Sequence, residues 1–190
     1  MDSGPELIPY SLTKWNEIVP GLFIGGHRWR PIPSWDPGAP VLVEQQFDTV
    51  ITLLKTVDNE EYGPREGTKH IVYDMPDGPL NSIQQAEACM LAGYAHGEIL
   101  QSRQALIRCW AGYNRSALVA GAVMILGQGR TADEAIDLIR RKRSRHALSN
   151  PEFVRYLHRW EKERDRGREA GPDPEGPDRG GESAGTYSCR

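Results

Sequence analysis

The chain has 190 residues, of which 38% are hydrophobic and 26% charged, and its formal net charge is −3. This length suits one domain with a sizeable core. The mild charge argues against stable nucleic-acid binding or an acidic membrane as the main partner. The cysteines at 89, 109 and 189 lack the spacing of a metal site or a disulfide framework. No stretch is apolar enough to span a membrane, and residues 1–10 lack a secretory pattern. We therefore expect a cytoplasmic monomer without a metal or cofactor.

Strands and helices alternate along the first half of the sequence. Residues 17–24 predict a first strand closed by two glycines, and residues 30–40, with four prolines, indicate a loop. The β-branched and apolar residues 47–54 predict a buried strand, and residues 69–73 and 104–107 predict two more. Between these last two, Asn81 is expected to cap a helix that ends near Leu100.

The second half is mostly helical. Residues 115–126 are apolar nearly all round, which predicts a central helix. A capping box over residues 131–134 opens an amphipathic helix, and Asn150 with Pro151 opens the last one. The Gly, Pro and charged residues of 165–190 predict a disordered tail. The chain thus divides into an N-terminal extension over 1–16, an α/β domain over 17–164 and the tail.

Residues 109–116, Cys-Trp-Ala-Gly-Tyr-Asn-Arg-Ser, lie between apolar runs at 105–107 and 117–126. This pattern predicts a strand, a tight loop and a buried helix. The loop would direct backbone N–H groups inward, and the helix N-terminus would add partial positive charge. Gly112 permits positive φ or close backbone approach, and the fork of Arg115 suits two phosphate oxygens. The motif therefore predicts a cup that holds a phosphate against the Cys109 sulfur.

The chemistry of such a cup needs a nucleophile and a proton donor. The inward amides and Arg115 should favour the thiolate of Cys109, the form that attacks phosphorus. The leaving oxygen then needs a proton, and the later attack by water needs a base. Asp77, in a Pro-Asp-Gly-Pro loop 32 residues upstream, is the candidate for both steps. Asp74 is the rival, and Asp77 has the alternative role of favouring a turn.

The loop residues are the candidate substrate contacts: Trp110, Ala111, Gly112, Tyr113, Asn114 and Arg115. For Trp110 and Tyr113, packing of the loop is an equally good interpretation. The basic run at 140–146 either attracts anionic substrates or forms a solvated helix end, which is the interpretation we favour.

The Cys-x5-Arg-Ser motif after a strand, with an Asp in a loop about thirty residues earlier, resembles the dual-specificity branch of the cysteine-based protein phosphatases. The resemblance covers residues 17–163, including the opening stretch at 18–25 and the closing helices at 141–153. It implies an α/β fold with a central mixed, mostly parallel sheet of four to five strands flanked by helices. It also implies that Cys109 is the nucleophile, Arg115 the phosphate clamp and Asp77 the acid and base, while Ser116 steadies the departing thiolate.

The implied function is hydrolysis of phosphate monoesters on phosphotyrosine or phosphoserine/threonine proteins. Two alternatives stay open. Asn114 resembles the residue of relatives that act on RNA 5′-phosphates, so the partner is either a phosphorylated protein or a small or RNA 5′-phosphate ester. Arg108 stands where the family has His, and it either lends charge or disturbs the loop. The second alternative is therefore a phosphate-binding module without turnover. Sulfur transfer and arsenate reduction are disfavoured by Asp77 and by the lack of a second well-placed cysteine.

Overall fold

A computed structural model describes residues 13–29, 39–40, 43, 47–56 and 63–169. The strands within these ranges are β1 Trp15–Val19, β2 Leu22–Gly26, β3 Arg28–Trp29, β4 Ala39–Pro40, β5 Thr49–Thr52, β6 Lys69–Val72 and β7 Ala105–Cys109. The helices are α1 Ser82–Leu100, α2 Arg115–Ala122, α3 Ala132–Lys142 and α4 Pro151–Glu169.

The main sheet has five strands in the order β1-β2-β7-β5-β6. The β1–β2 pair is antiparallel, and β2–β7, β7–β5 and β5–β6 are parallel. The predicted α/β fold with a mixed, mostly parallel sheet flanked by helices is thus confirmed. Because β7 is the central strand and Cys109 is its last residue, Cys109 lies in the middle of the row formed by the carboxyl-terminal ends of the parallel strands.

The predicted single strand over residues 17–24 is wrong, because the chain forms a β1–β2 hairpin there. The turn is at Pro20 and Gly21, and Gly21 has φ +79°. A Cβ at this position would lie 3.0 Å from the carbonyl oxygen of Arg103. Apolar residues on both sides of this Pro-Gly turn concealed it in the sequence pattern. The glycines at 25 and 26 are the last two residues of β2.

The helix starts follow the predicted capping chemistry. The Asn81 side chain accepts a hydrogen bond from Gln84 N at 2.9 Å, and Gln84 Oε1 accepts from Asn81 N at 3.0 Å. Thr131 and Glu134 form the same reciprocal pair at the start of α3. The predicted helix over 115–126 is α-helical only to Ala122 and continues as a π-helical turn, Val123–Gly127. Helical periodicity does not distinguish these two forms over one turn.

The last helix extends to Glu169, so residues 165–169, which the sequence analysis assigns to the tail, are helical. Arg164 explains part of this extension, because its Nη1 donates to the carbonyl oxygens of Ile125 and Arg130 at 3.0 and 2.6 Å. Residues 170–190, residues 1–12 and most of the predicted loop over 30–40 lie outside the described residues. Within that loop, residues 39–40 pair antiparallel with β3.

Apolar side chains pack against both faces of the sheet. Successive strand residues point to opposite faces, so Ile107 joins the large helix-covered core and Leu106 joins a smaller cluster with Val50 and Phe47. Every residue of α2 from Ser116 to Ala122 is buried. The strand and the helix on either side of the Cys109 loop are therefore both fixed by core packing.

Candidate active site

The loop between β7 and α2 rests on strand β2, and glycines make that contact possible. Gly112 has φ +75°, and a Cβ there would lie 2.4 Å from the carbonyl carbon of Gly25. Both reasons anticipated for a glycine at 112 therefore apply. A Cβ on Gly26 would lie 3.1 Å from the carbonyl carbon of Ala111. The loop thus takes its shape from close backbone contact with β2.

A cavity of about 310 Å³ opens above Cys109 and is lined by Asp77, Cys109, Trp110, Ala111, Tyr113, Asn114, Arg115 and Ser149. Cys109 is only 2% exposed. Its Sγ lies 3.4 Å from the Oγ of the buried Ser116. Of the predicted loop contacts, Gly112 does not line the cavity and supports the loop from behind.

Ser149 is a cavity residue that the sequence did not indicate. Leu148 N donates to the carbonyl oxygen of Tyr113 at 2.8 Å, which brings the segment before α4 against the Cys109 loop. This contact joins residues 35 positions apart through tertiary packing, and no local pattern in the sequence marks it.

Arg115 is fixed by backbone carbonyls of the two neighbouring loops. Its Nη1 donates to the carbonyl oxygens of Leu53 at 3.2 Å and Met75 at 3.1 Å. Its buried Nε has no hydrogen-bond partner among the described residues. The guanidinium is thus held in place through Nη1, and the described residues leave its Nε donor unused.

The structure brings Asp77 to the cavity and leaves Asp74 outside it. Asp77 Oδ2 lies 3.9 Å from Arg115 Nε, and the Asp77 side chain is 40% exposed. Asp74 instead accepts a hydrogen bond from Lys55 N at 3.3 Å, and it is not among the described residues that line the cavity. Placement therefore favours Asp77 as the carboxylate that meets a substrate.

Arg143 supports the loop from behind, a role that the sequence analysis missed. Its Nε and Nη2 donate to the carbonyl oxygens of Gly112 and Ala111 at 3.2 and 3.3 Å. Its Nη1 donates to Thr13 O at 2.9 Å and Asn16 Oδ1 at 2.8 Å. Because these loop carbonyls are held on the outer side, the loop can present N–H groups on the cavity side.

Burial and two ionisable neighbours act in opposite directions on the pKa of Arg143. Burial lowers the pKa of Arg143, whereas Tyr113 and Cys109 raise it. The interpretation of residues 140–146 as a solvated helix end is therefore wrong for Arg143, although Arg141 and Lys142 are exposed. The sequence contains one indication of this burial. Residue 143 follows the buried Ile139 by four positions, the spacing at which side chains of a helix share a face.

Arg108 lies in a buried polar cluster of the sheet. It is 1% exposed, and its Nε donates to Thr52 Oγ1 at 2.9 Å. Thr52 Oγ1 also lies 2.8 Å from His70 Nε2. Burial, with Arg108 and His27 as positive neighbours, lowers the pKa of His70 to about 4. Arg108 therefore packs beside the loop while Cys109 keeps its contact with Ser116.

Two aromatic side chains form part of the cavity wall. Trp110 is 39% exposed, and the Arg28 guanidinium lies over its ring at 5.2 Å from the centroid. The Tyr113 ring has the Arg143 guanidinium 5.6 Å from its centroid. Tyr113 thus both packs the loop and lines the cavity, and Trp110 lies on the open rim.

Within the described ranges, no group of three or more His, Cys, Asp or Glu side chains has a metal-binding arrangement. The helices described are likewise too short or too polar to cross a membrane.

Comparison with known proteins gives a consistent result. The family model described as dual specificity phosphatase, catalytic domain, matches residues 38–163. A curated relative, the MAP kinase phosphatase with leucine-rich repeats protein 3 of Dictyostelium discoideum, is 28% identical over 150 residues. The match covers 77% of this chain and only 16% of that protein.

Solved structures share the fold. The crystal structure of a mouse putative dual specificity phosphatase complexed with zinc tungstate is 20% identical, with a TM-score of 0.65 over 88% of this chain and 94% of that one. The crystal structure of human DUSP28 is 20% identical, with a TM-score of 0.63 over 80% of this chain and 95% of that one.

Proposed function

The chain belongs to the dual specificity phosphatase catalytic-domain family, and we propose that it hydrolyses phosphate monoesters of tyrosine and of serine or threonine through a phosphocysteine intermediate. The observation that carries the proposal is the convergence of Cys109, Arg115 and Asp77 on one cavity. Each side chain arrives from a different element, so the convergence follows from the fold and not from sequence spacing alone.

The first step is transfer of the phosphoryl group to the enzyme. The Cys109 thiolate attacks phosphorus, the S–P bond forms, and the bond between phosphorus and the leaving oxygen breaks. Arg115 and the loop amides hold the non-bridging oxygens as their charge redistributes. Asp77, in its acid form, gives its proton to the leaving oxygen.

The second step returns the enzyme to its starting state. Water attacks phosphorus while the Asp77 carboxylate takes its proton, the S–P bond breaks, and inorganic phosphate leaves. The Ser116 hydroxyl, 3.4 Å from Cys109 Sγ, donates to the departing thiolate. A buried hydroxyl is suited to this role because it stabilises the anion without changing the net charge of the site.

The comparisons support an oxyanion substrate. The mouse relative was crystallised in complex with zinc tungstate, whose tetrahedral anion has the shape of phosphate, and the Dictyostelium relative is named a MAP kinase phosphatase. Trp110 on the rim gives an aromatic leaving group an apolar surface beside the nucleophile. We therefore propose a phosphorylated protein as the substrate. The cytoplasmic location and monomeric state stay predictions.

A second candidate function is phosphate binding without turnover, and Arg108 is the observation that favours it. The residue before Cys109 is an arginine bonded to Thr52, where the sequence resemblance led us to expect His. Binding requires only the amide cup and Arg115, whereas turnover also requires an activated thiolate. Release of phosphate separates the two functions.

The test is phosphate release from matched phosphotyrosine and phosphoserine peptides and from a 5′-phosphorylated oligonucleotide. Wild-type protein should hydrolyse the peptides, and Cys109→Ser should not, while its affinity for inorganic phosphate stays close to wild type because the cup survives. Hydrolysis of the oligonucleotide alone would reject the proposed substrate. Phosphate binding with no hydrolysis of any substrate would establish the second candidate.

A further inference from the structure

We propose that Asn114 is a positioning residue that aims the Asp77 carboxyl group at the leaving oxygen, an inference that rests on the proposed role of Asp77. Asn114 Nδ2 donates to Asp77 Oδ2 at 3.4 Å. On its other side, Asn114 Oδ1 accepts from Ser149 Oγ at 3.1 Å and from Asn150 N at 3.2 Å. One carboxamide thus connects the Cys109 loop, the Asp77 loop and the start of α4.

The position of Asn114 makes this use of its side chain informative. Asn114 is the N-cap residue of α2, and it makes no side-chain capping hydrogen bond there. Asparagine at an N-cap ordinarily accepts from the second or third backbone N–H of the helix. Here the side-chain amide instead donates to Asp77, and its oxygen accepts from the segment just before α4.

The second carboxylate oxygen of Asp77 has a matching partner. Asn150 Nδ2 lies 3.5 Å from Asp77 Oδ1, and Asn150 Oδ1 accepts from Glu152 N at 3.0 Å in the first turn of α4. Both oxygens of Asp77 therefore face an amide donor, Oδ2 that of Asn114 and Oδ1 that of Asn150. Distances of 3.4–3.5 Å are long for hydrogen bonds, and catalytic contacts of this kind commonly shorten when substrate binds.

The backbone contacts of the Asp77 loop lie on either side of Asp77 and do not by themselves orient its carboxyl group. The loop is anchored before Asp77 by Met75 O, which accepts from Arg115 Nη1. After Asp77 it is anchored by Leu80, whose N–H donates to Tyr156 Oη at 2.9 Å. Between these anchors, Gly78 has nothing within 4 Å of an ideal Cβ. Side-chain contacts from the Cys109 loop and the start of α4 therefore set the direction of the carboxyl group.

A misdirected acid slows phosphoryl transfer to Cys109 only for substrates whose leaving group needs a proton. The base role of Asp77 in the second step is common to all substrates, so kcat/KM, which reports the first step, is the quantity to compare. Phenolate leaves poorly without one, and p-nitrophenolate leaves well. General acid help is worth ~10²–10⁴-fold, so partial loss of orientation in Asn114→Ala should cost roughly ten-fold more in kcat/KM on phenyl phosphate than on p-nitrophenyl phosphate. A merely structural clip between the two loops would lower both rates by the same factor.

The decisive experiment is a double-mutant cycle on these two substrates with Asn114→Ala, Asp77→Asn and the double variant. If Asn114 acts through Asp77, adding Asn114→Ala to Asp77→Asn should change the ratio of the two rates by less than about two-fold. Asn150→Ser keeps an oxygen to cap α4 but lacks the amide donor, and it should shift the ratio in the same direction as Asn114→Ala. Ser149→Ala removes one of the two hydrogen bonds to Asn114 Oδ1 and leaves the one from Asn150 N in place, so it is the matched control and should alter both rates equally.

Equal losses on both substrates in Asn114→Ala, or full additivity in the double variant, would overturn the inference and leave the acid role of Asp77 intact. Equal losses in Asp77→Asn would instead reject the proposed acid, and the positioning role would fall with it. Circular dichroism melts of each variant would identify one that does not fold, in which case Asn150→Ser decides the question.

Discussion

Replacing Arg143 by methionine tests the support of the phosphate-binding loop. The variant removes four hydrogen bonds, to Gly112 O, Ala111 O, Thr13 O and Asn16 Oδ1. Thr13 is exposed and Asn16 half-buried, so water can replace those two contacts. The two loop carbonyls lose a charged donor, and hydrogen bonds to charged groups contribute about 1.5–3 kcal/mol each. We expect the free energy of unfolding to fall by about 3–5 kcal/mol.

Denaturant unfolding followed by tryptophan fluorescence measures this change. The exposed Arg141 lies on the same helix, and Arg141→Met is the matched control, expected within about 0.5 kcal/mol of wild type. Without Arg143 the loop carbonyls are free to rotate, so the variant should also bind inorganic phosphate more weakly when it is folded. A loss of stability no larger than that of Arg141→Met would refute the reasoning that these carbonyls depend on the buried guanidinium.

Three other predictions follow from the site and its surroundings. Gly112→Ala combines positive φ with a 2.4 Å contact to Gly25, whereas Gly67→Ala has φ +87° and nothing within 4 Å of its Cβ. The unfolding free energy of Gly67→Ala should therefore fall by only about 1–2 kcal/mol, and that of Gly112→Ala should fall further, with loss of phosphate binding. Burial and neighbouring Arg108 lower the pKa of His70 from 6.5 to about 4, so the unfolded chain binds more protons between those pH values. The unfolding free energy should thus decrease as pH falls from 6.5 to 4, and His70→Gln should reduce that slope in pH-dependent melts. Arg115→Lys should weaken phosphate binding and slow phenyl phosphate hydrolysis severely, because an ammonium cannot replace a bidentate fork, and near-wild-type rates would contradict the clamp.

The parts of the fold that the sequence predicted are those with local causes. The capping boxes at Asn81 and Thr131 each involve residues three positions apart. Both partners of each hydrogen bond therefore lie within one short stretch of sequence. The Cys109 motif is local in the same way, because the strand, the loop glycine and the helix start are contiguous. The β1–β2 hairpin was missed because its Pro-Gly turn lies within an otherwise continuous apolar stretch.

The parts that the sequence did not predict depend on tertiary packing. Arg143 reaches the loop across 31 positions, and Asn150 reaches Asp77 across 73. The sequence favours Asp77 over Asp74 by its place in a loop 32 residues before Cys109, and the contact of Asp77 with Arg115 that supports this choice exists only in the folded chain. Ser149 is placed by a backbone hydrogen bond that no side-chain pattern marks. Interatomic distances of this kind follow from the three-dimensional fold.

Every proposed role in the cavity depends on turnover through a phosphoenzyme on Cys109. Rapid acid quench during hydrolysis of an aryl phosphate, followed by mass spectrometry of the peptides, tests it most directly. We expect a phosphoryl group on the peptide that contains Cys109, present at early times and absent in Cys109→Ser, which should also release no phosphate. Phosphate release that persists in Cys109→Ser, or wild-type turnover in which the phosphoryl group appears on a different residue, would contradict it.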